Sequence, residues 1–66
     1  MANTTFNTSF GRIILANATK DEDFPGTTFY DLYDENGGYY GQISTDNVDE
    51  LTDKIVEEEI YDNIYL

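Results

Sequence analysis

Alternation of hydrophobic and polar positions is clearest over residues 27 to 44, "TTFYDLYDENGGYYGQIS". Two β-favouring runs flank Asn36, Gly37 and Gly38, residues that readily take the positive φ angles of a tight hairpin turn. A turn at Asn36-Gly37 sets Tyr30 opposite Ile43, and one at Gly37-Gly38 sets Leu32 there. Either way one face carries Tyr30, Leu32, Asp34, Tyr39, Gly41 and Ile43, and the other carries Phe29, Asp31, Tyr33, Glu35, Tyr40 and Gln42. The first face is the better core. The second is an outward surface that mixes carboxylates with tyrosines.

Upstream, "FGRIILANA" (10 to 18) has a short, β-branched Ile13-Ile14-Leu15 centre that suits a buried strand. Phe10, Ile13 and Ile14 also share helical spacing, so the pattern favours a strand without excluding a helix. Residues 1 to 9 are polar and read as a loose arm or an edge strand. "KDEDFPG" (20 to 26) reads as a connection, with Pro25-Gly26 favouring a turn.

From Asp46 the pattern becomes helical. Asp46 or Asn47 can cap the amino end, with Asp49 or Glu50 in the first turn. Val48, Leu51, Ile55 and Val56 make the stripe that docks on the sheet. The end, "IYDNIYL", fits a continued helix or a last strand. The expected architecture is α+β: one domain over residues 1–66, with a small three-stranded antiparallel sheet packed against one carboxy-terminal helix.

At 66 residues the core is small, but 39% hydrophobic and 15% aromatic residues argue for a folded chain. Fourteen acids against Arg12, Lys20 and Lys54 give a formal charge of −11. Solubility of a small domain asks only for a net charge of about 2 to 8. Such a field repels nucleic acid and anionic membrane and steers the chain towards basic surfaces. There is no cysteine, no basic-then-apolar leader and no apolar run near the roughly 18 residues that span a bilayer. The expectation is a cytoplasmic protein that neither enters a membrane nor binds nucleic acid directly.

Catalysis has little to work with. Histidine and cysteine are both absent, which removes the commonest general base and the usual transition-metal ligands. Carboxylate pairs can hydrolyse glycosides, but they need a cleft that a chain this short has little material to build. A calcium loop starting at Asp31 would place Asn36 at its sixth position and Gln42 at its twelfth, where Gly and Glu are required. No enzyme activity, cofactor or metal site is expected.

A partner-binding role is what the acids point to. Like charges at helical i,i+3 and i,i+4 spacing cost roughly 0.2 to 0.5 kcal/mol each, and "DELTDKIVEEEIYD" (49 to 62) holds several such pairs. Asp49 and Glu50 lie near the helix's positive amino end, so the macrodipole explains both. Asp53 sits between like charges, and Glu57, Glu58, Glu59 and Asp62 lie where the dipole opposes them. Asp49, Asp53 and Glu57 would be about 6 Å apart along a helix axis, comparable in scale to successive phosphates, so a basic DNA-binding groove would accept them in place of DNA. Outward Asp31, Glu35, Tyr33 and Tyr40 would extend that surface, with the tyrosines as anchors.

In size, acidity and lack of catalytic residues the chain resembles the small phage-encoded inhibitors of bacterial defence, which include anti-CRISPR proteins, antirestriction DNA mimics and inhibitors of uracil-DNA glycosylase. The resemblance lies in general character, with no diagnostic motif to carry residues over. It implies a stoichiometric inhibitor, of anti-CRISPR type in the first instance, that occupies the DNA-binding surface of a host complex. The alternative is an antitoxin-like or allosteric module docking through tyrosines without mimicry. A monomer is expected, or a homodimer covering Tyr61, Ile64, Tyr65 and Leu66.

Overall fold

A computed structural model describes residues 4–65. Four strands, β1 (Thr5–Thr8), β2 (Gly11–Lys20), β3 (Thr28–Asp34) and β4 (Tyr39–Thr45), form one antiparallel sheet in the order β1-β2-β3-β4. A 3₁₀ turn (Val48–Glu50) and one helix, α1 (Asp53–Tyr65), follow. The α+β class is as expected, but the sheet has four strands rather than three. Residues 5–8 supply the extra one because Phe6 faces Ile13 across the β1–β2 ladder and its ring is buried in the core. Its strand neighbours are polar because β1 is an edge whose other face meets water. Met1, Ala2 and Asn3, the start of the expected arm, lie outside the described residues, as does Leu66.

The core is Phe6, Ile13, Leu15, Leu32, Ile43, Val56 and Ile60, with Phe10, Tyr30, Tyr40, Val48 and Leu51 packed around it. All the strand members of this set point to the sheet face that α1 covers. Among the described residues, no layer lies over the opposite face.

The helix begins later than its pattern implied. Asn47 caps the 3₁₀ turn, its Oδ1 accepting from Asp49 N at 3.1 Å, and Leu51 is extended. Thr52 then caps α1, its Oγ1 accepting from Ile55 N at 3.2 Å. This restart changes the helical phase: Val56 and Ile60 are fully buried, whereas Ile55, expected on the docking stripe, is 44% exposed. Residues 60–65, open between helix and strand, continue the helix.

α1 runs across the strands from one sheet edge to the other. At its start Asp53 Oδ1 accepts from Asn7 N at 3.1 Å, and Glu57 Oε1 accepts from Ser9 N at 2.5 Å. Near its end Asn63 Nδ2 donates to Tyr40 O at 3.2 Å and to Gln42 O at 3.3 Å. Asp53 to Asn63 is about 15 Å of helix, which matches the roughly 14 Å spanned by four strands. Both edges therefore have main-chain groups satisfied by helix side chains, which opposes pairing with another chain there.

Candidate functional site

The fold divides the acidic residues into those whose carboxylates hold other groups of the protein, most often backbone N–H, and those that face water without a partner. Asp53 and Glu57, proposed from the pattern as part of a free anion string, belong to the first group because they anchor the β1 edge. The string is also broken: Asp49 and Glu50 sit in the 3₁₀ turn, separated from α1 by extended Leu51. Asp34 organises the hairpin loop, its Oδ1 accepting from Asn36 N and Gly38 N, both at 2.8 Å. Asp21 caps its loop by accepting from Asp23 N, and Asp46 accepts from Thr27 Oγ1 at 2.6 Å.

The backbone N–H of Ser9 holds the Glu57 carboxyl below the usual glutamate range, and that of Gly38 does the same for Asp34. A carboxylate with a depressed folded value stabilises the fold above its unfolded value, and this stabilisation is lost as pH falls through the folded value. Glu57→Gln should therefore be less stable than the parent at pH 7, with the difference closing as the pH drops below the ordinary glutamate range. Thermal unfolding followed by circular dichroism across that range measures it. A difference that stays constant with pH would show that the Ser9 contact does not depend on charge.

On the outward side of α1, Glu58 and Asp62 are exposed, and neither their carboxylates nor that of half-buried Glu59 make a hydrogen bond or ion pair among the described residues. Asp49 and Glu50, just before the helix, and Glu22 and Asp23, in the β2–β3 connection, are likewise exposed, their carboxylates without a partner among the described residues. The single ion pair among the described residues, Arg12–Glu35 at 3.5 Å, lies away from the helix beside the open face of the sheet.

The hairpin corrects the assignment of the tyrosines. Its loop has three residues, Glu35–Asn36–Gly37, with Gly37 at φ +85°, instead of the expected two-residue turn. Tyr33 therefore pairs with Tyr39. Further along, Tyr40 and Gly41 together oppose Leu32, and the ladder resumes at Asp31↔Gln42 and Tyr30↔Ile43. This bulge, with Gly41 at φ +97°, inverts the alternation. Tyr40 consequently turns to the helix side, packs on Phe10 and points its hydroxyl at Asp34 Oδ2, 3.4 Å away. It is Tyr39 that joins Tyr33 outside, with ring centres 5.4 Å apart.

The expected site residues consequently do not form one surface. Glu58, Glu59 and Asp62 belong to the helix layer; Asp31, Tyr33 and the Glu35–Arg12 pair belong to the open face of the sheet, across a body 20 Å thick. At 0.1 M salt the screening length is about 10 Å, so the two faces act largely as separate electrostatic surfaces. The described residues enclose no pocket and contain no group of three or more side chains arranged to hold a metal ion. No helix among them is long and apolar enough to cross a membrane.

Comparison with protein-family models, with curated proteins and with solved structures found no match to this chain. Pattern reading missed Tyr39, Asn17 and Asn63. Gly41 inside the "YYGQIS" run was the available signal for Tyr39, since a strand-interior glycine often marks a bulge. Nothing local marks Asn63, whose role exists only once α1 crosses to β4.

Proposed function

We propose that the protein is a non-enzymatic inhibitor that binds a basic, nucleic-acid-binding protein in place of DNA. The reading extends to an anti-CRISPR-type inhibitor acting in a host cytoplasm and blocking target binding by a CRISPR–Cas effector. The observation that carries it is the Glu58–Asp62 pair: one helical turn apart, outward and unpaired, on a chain with a net charge of −11. Unlike Asp53 and Glu57, these two carboxylates hold no backbone group, and Lys54, one turn before Glu58, forms no close ion pair with it and offsets only part of the repulsion. Asp49, Glu50 and Glu59 add charge on the same stretch of chain.

Charge reversal at the free pair separates binding from folding. Glu58→Lys with Asp62→Lys should leave the circular dichroism spectrum and thermal midpoint close to the parent's. Close charge pairs in such complexes couple by about 1.5 kcal/mol or more each, so affinity for a basic partner should fall by about 100-fold or more. A folded double variant that binds and inhibits like the parent would remove the helix from the interface. A docking module that works through tyrosines is the second reading, favoured by the Tyr33–Tyr39 pair on the open sheet face.

A further inference from the structure

The open face of the sheet is ordered in rows. Thr5, Ile14, Tyr33 and Tyr39 form one row across all four strands, and Ala16, Asp31 and Gln42 form the next. Two bulges bracket Asp31. In β2, Asn17 takes a left-handed φ of 55° and the register shifts, which swings its amide onto this face, where Nδ2 donates to Asp31 Oδ2 at 2.8 Å. In β4 the Gly41 bulge brings Tyr39 to the same side, and Gln42 Nε2 donates to Asp31 Oδ1 at 3.1 Å. Bulges concentrate where a strand must re-aim a side chain, and here both re-aim one towards the same carboxylate.

Neither amide neutralises Asp31, and the nearest cation on this face, Arg12, is taken up by Glu35. The Asp31 carboxylate lies beside the exposed Tyr39 ring, whose hydroxyl is within its reach, and Ile14 stands 37% exposed beyond Tyr33. Loss of water around its hydroxyl and then the charge of Asp31 push the Tyr39 phenol up, as expected of close neighbours.

We infer that this face is a docking surface for a protein that presents an arginine, its guanidinium stacked on Tyr39 and paired with Asp31, with an apolar neighbour over Ile14. Charge chooses the occupant. Phosphate-bearing ligands are repelled by a chain of net −11, and a second copy would set one Asp31 face against another under doubled like charge. With no pocket among the described residues, a small molecule would leave most of its own surface in water. Arginine fits better than lysine because a planar guanidinium can stack on a ring and bind a carboxylate at the same time, whereas an ammonium is a compact point charge. The inference stands on the sheet face alone and does not use the helix carboxylates.

The test is a titration of the isotope-labelled protein with the capped tripeptides Arg-Arg-Arg and Lys-Lys-Lys, which carry equal charge. The arginine peptide should shift the Tyr33 and Tyr39 ring signals and the Asn17 and Gln42 side-chain amides, and bind there about three- to fivefold more tightly than the lysine peptide. Tyr39→Ala, at an exposed position, should abolish that preference with the spectrum otherwise intact. Equal binding of the two peptides at this face, or shifts confined to the helix, would overturn the proposal. So would a parent dimer in sedimentation that becomes monomeric in Tyr33→Ala with Tyr39→Ala. Helix signals are read in the same spectra, so failure at the sheet leaves the helix reading to its own charge-reversal test.

Discussion

Ile60→Ala is expected to lower the protein's stability at 25 °C by about 2–5 kcal/mol. Ile60 is fully buried among the seven core residues, on the helix face that meets the sheet. Truncating a buried isoleucine to alanine costs about 2–5 kcal/mol. A chain of this length has a total stability of about 3–10 kcal/mol, so the loss is a large fraction of the margin. Ile55→Ala on the same helix is the control, because Ile55 is exposed and should change stability by no more than about 0.5 kcal/mol. Urea unfolding of the two variants reads the helical phase directly. A larger loss at Ile55 than at Ile60 would mean that α1 begins where the sequence pattern first placed it, near Asn47.

Gly41→Ala should be nearly as damaging, for two separable reasons. The backbone there has φ +97°, a conformation that side chains rarely adopt, and holding a non-glycine residue in it costs about 1–3 kcal/mol. A methyl group would also lie 2.6 Å from Asn63 Nδ2, the amide that satisfies the outer carbonyls of β4. Asn63→Ala relieves the contact but not the backbone. The double variant should therefore be more stable than the two single losses added together predict, by the part due to the clash. Strict additivity would show that Asn63 and Gly41 do not meet.

These two positions also show where the sequence was legible. Strand alternation and the helical pattern placed the sheet-and-helix class, the shared face of Tyr30, Leu32 and Ile43 and most of the core, because periodicity is a local property; whether Tyr30 or Leu32 opposes Ile43 stayed open, and the structure has Tyr30 there. Ile55 left the docking stripe, and Ile60, in the segment left open between helix and strand, joined the core, because the helix restarts at Thr52; both Asn47 and Thr52 are good caps, and their side chains alone do not say which one opens the long helix. Tyr39 and Tyr40 exchanged faces because a one-residue bulge inverts every side chain beyond it. Phe6 was hidden because a four-residue edge strand has too few residues to show a period.

The candidate site was legible as composition and only partly as position. The acid excess is visible in any count of residues. Which carboxylates are spent on backbone N–H groups is decided by contacts 46 and 48 residues apart in the chain, Asn7 with Asp53 and Ser9 with Glu57. Sequence spacing carries no information about those. Hence charge reversal at Asp53 and Glu57 would confuse loss of binding with loss of the β1 edge, and Glu58 with Asp62 is the pair that separates the two.

The most direct test of the central claim is competition with DNA. The protein is immobilised, a bacterial lysate is passed over it at low salt, and bound material is challenged with a duplex oligonucleotide or with about 0.5 M salt, where exposed charge pairs are strongly screened. The account predicts that a basic, nucleic-acid-binding protein is retained by the parent, released by duplex DNA and by salt, and lost from the Glu58→Lys, Asp62→Lys variant. A partner that stays bound through both challenges, or binds the variant as well as the parent, would contradict it.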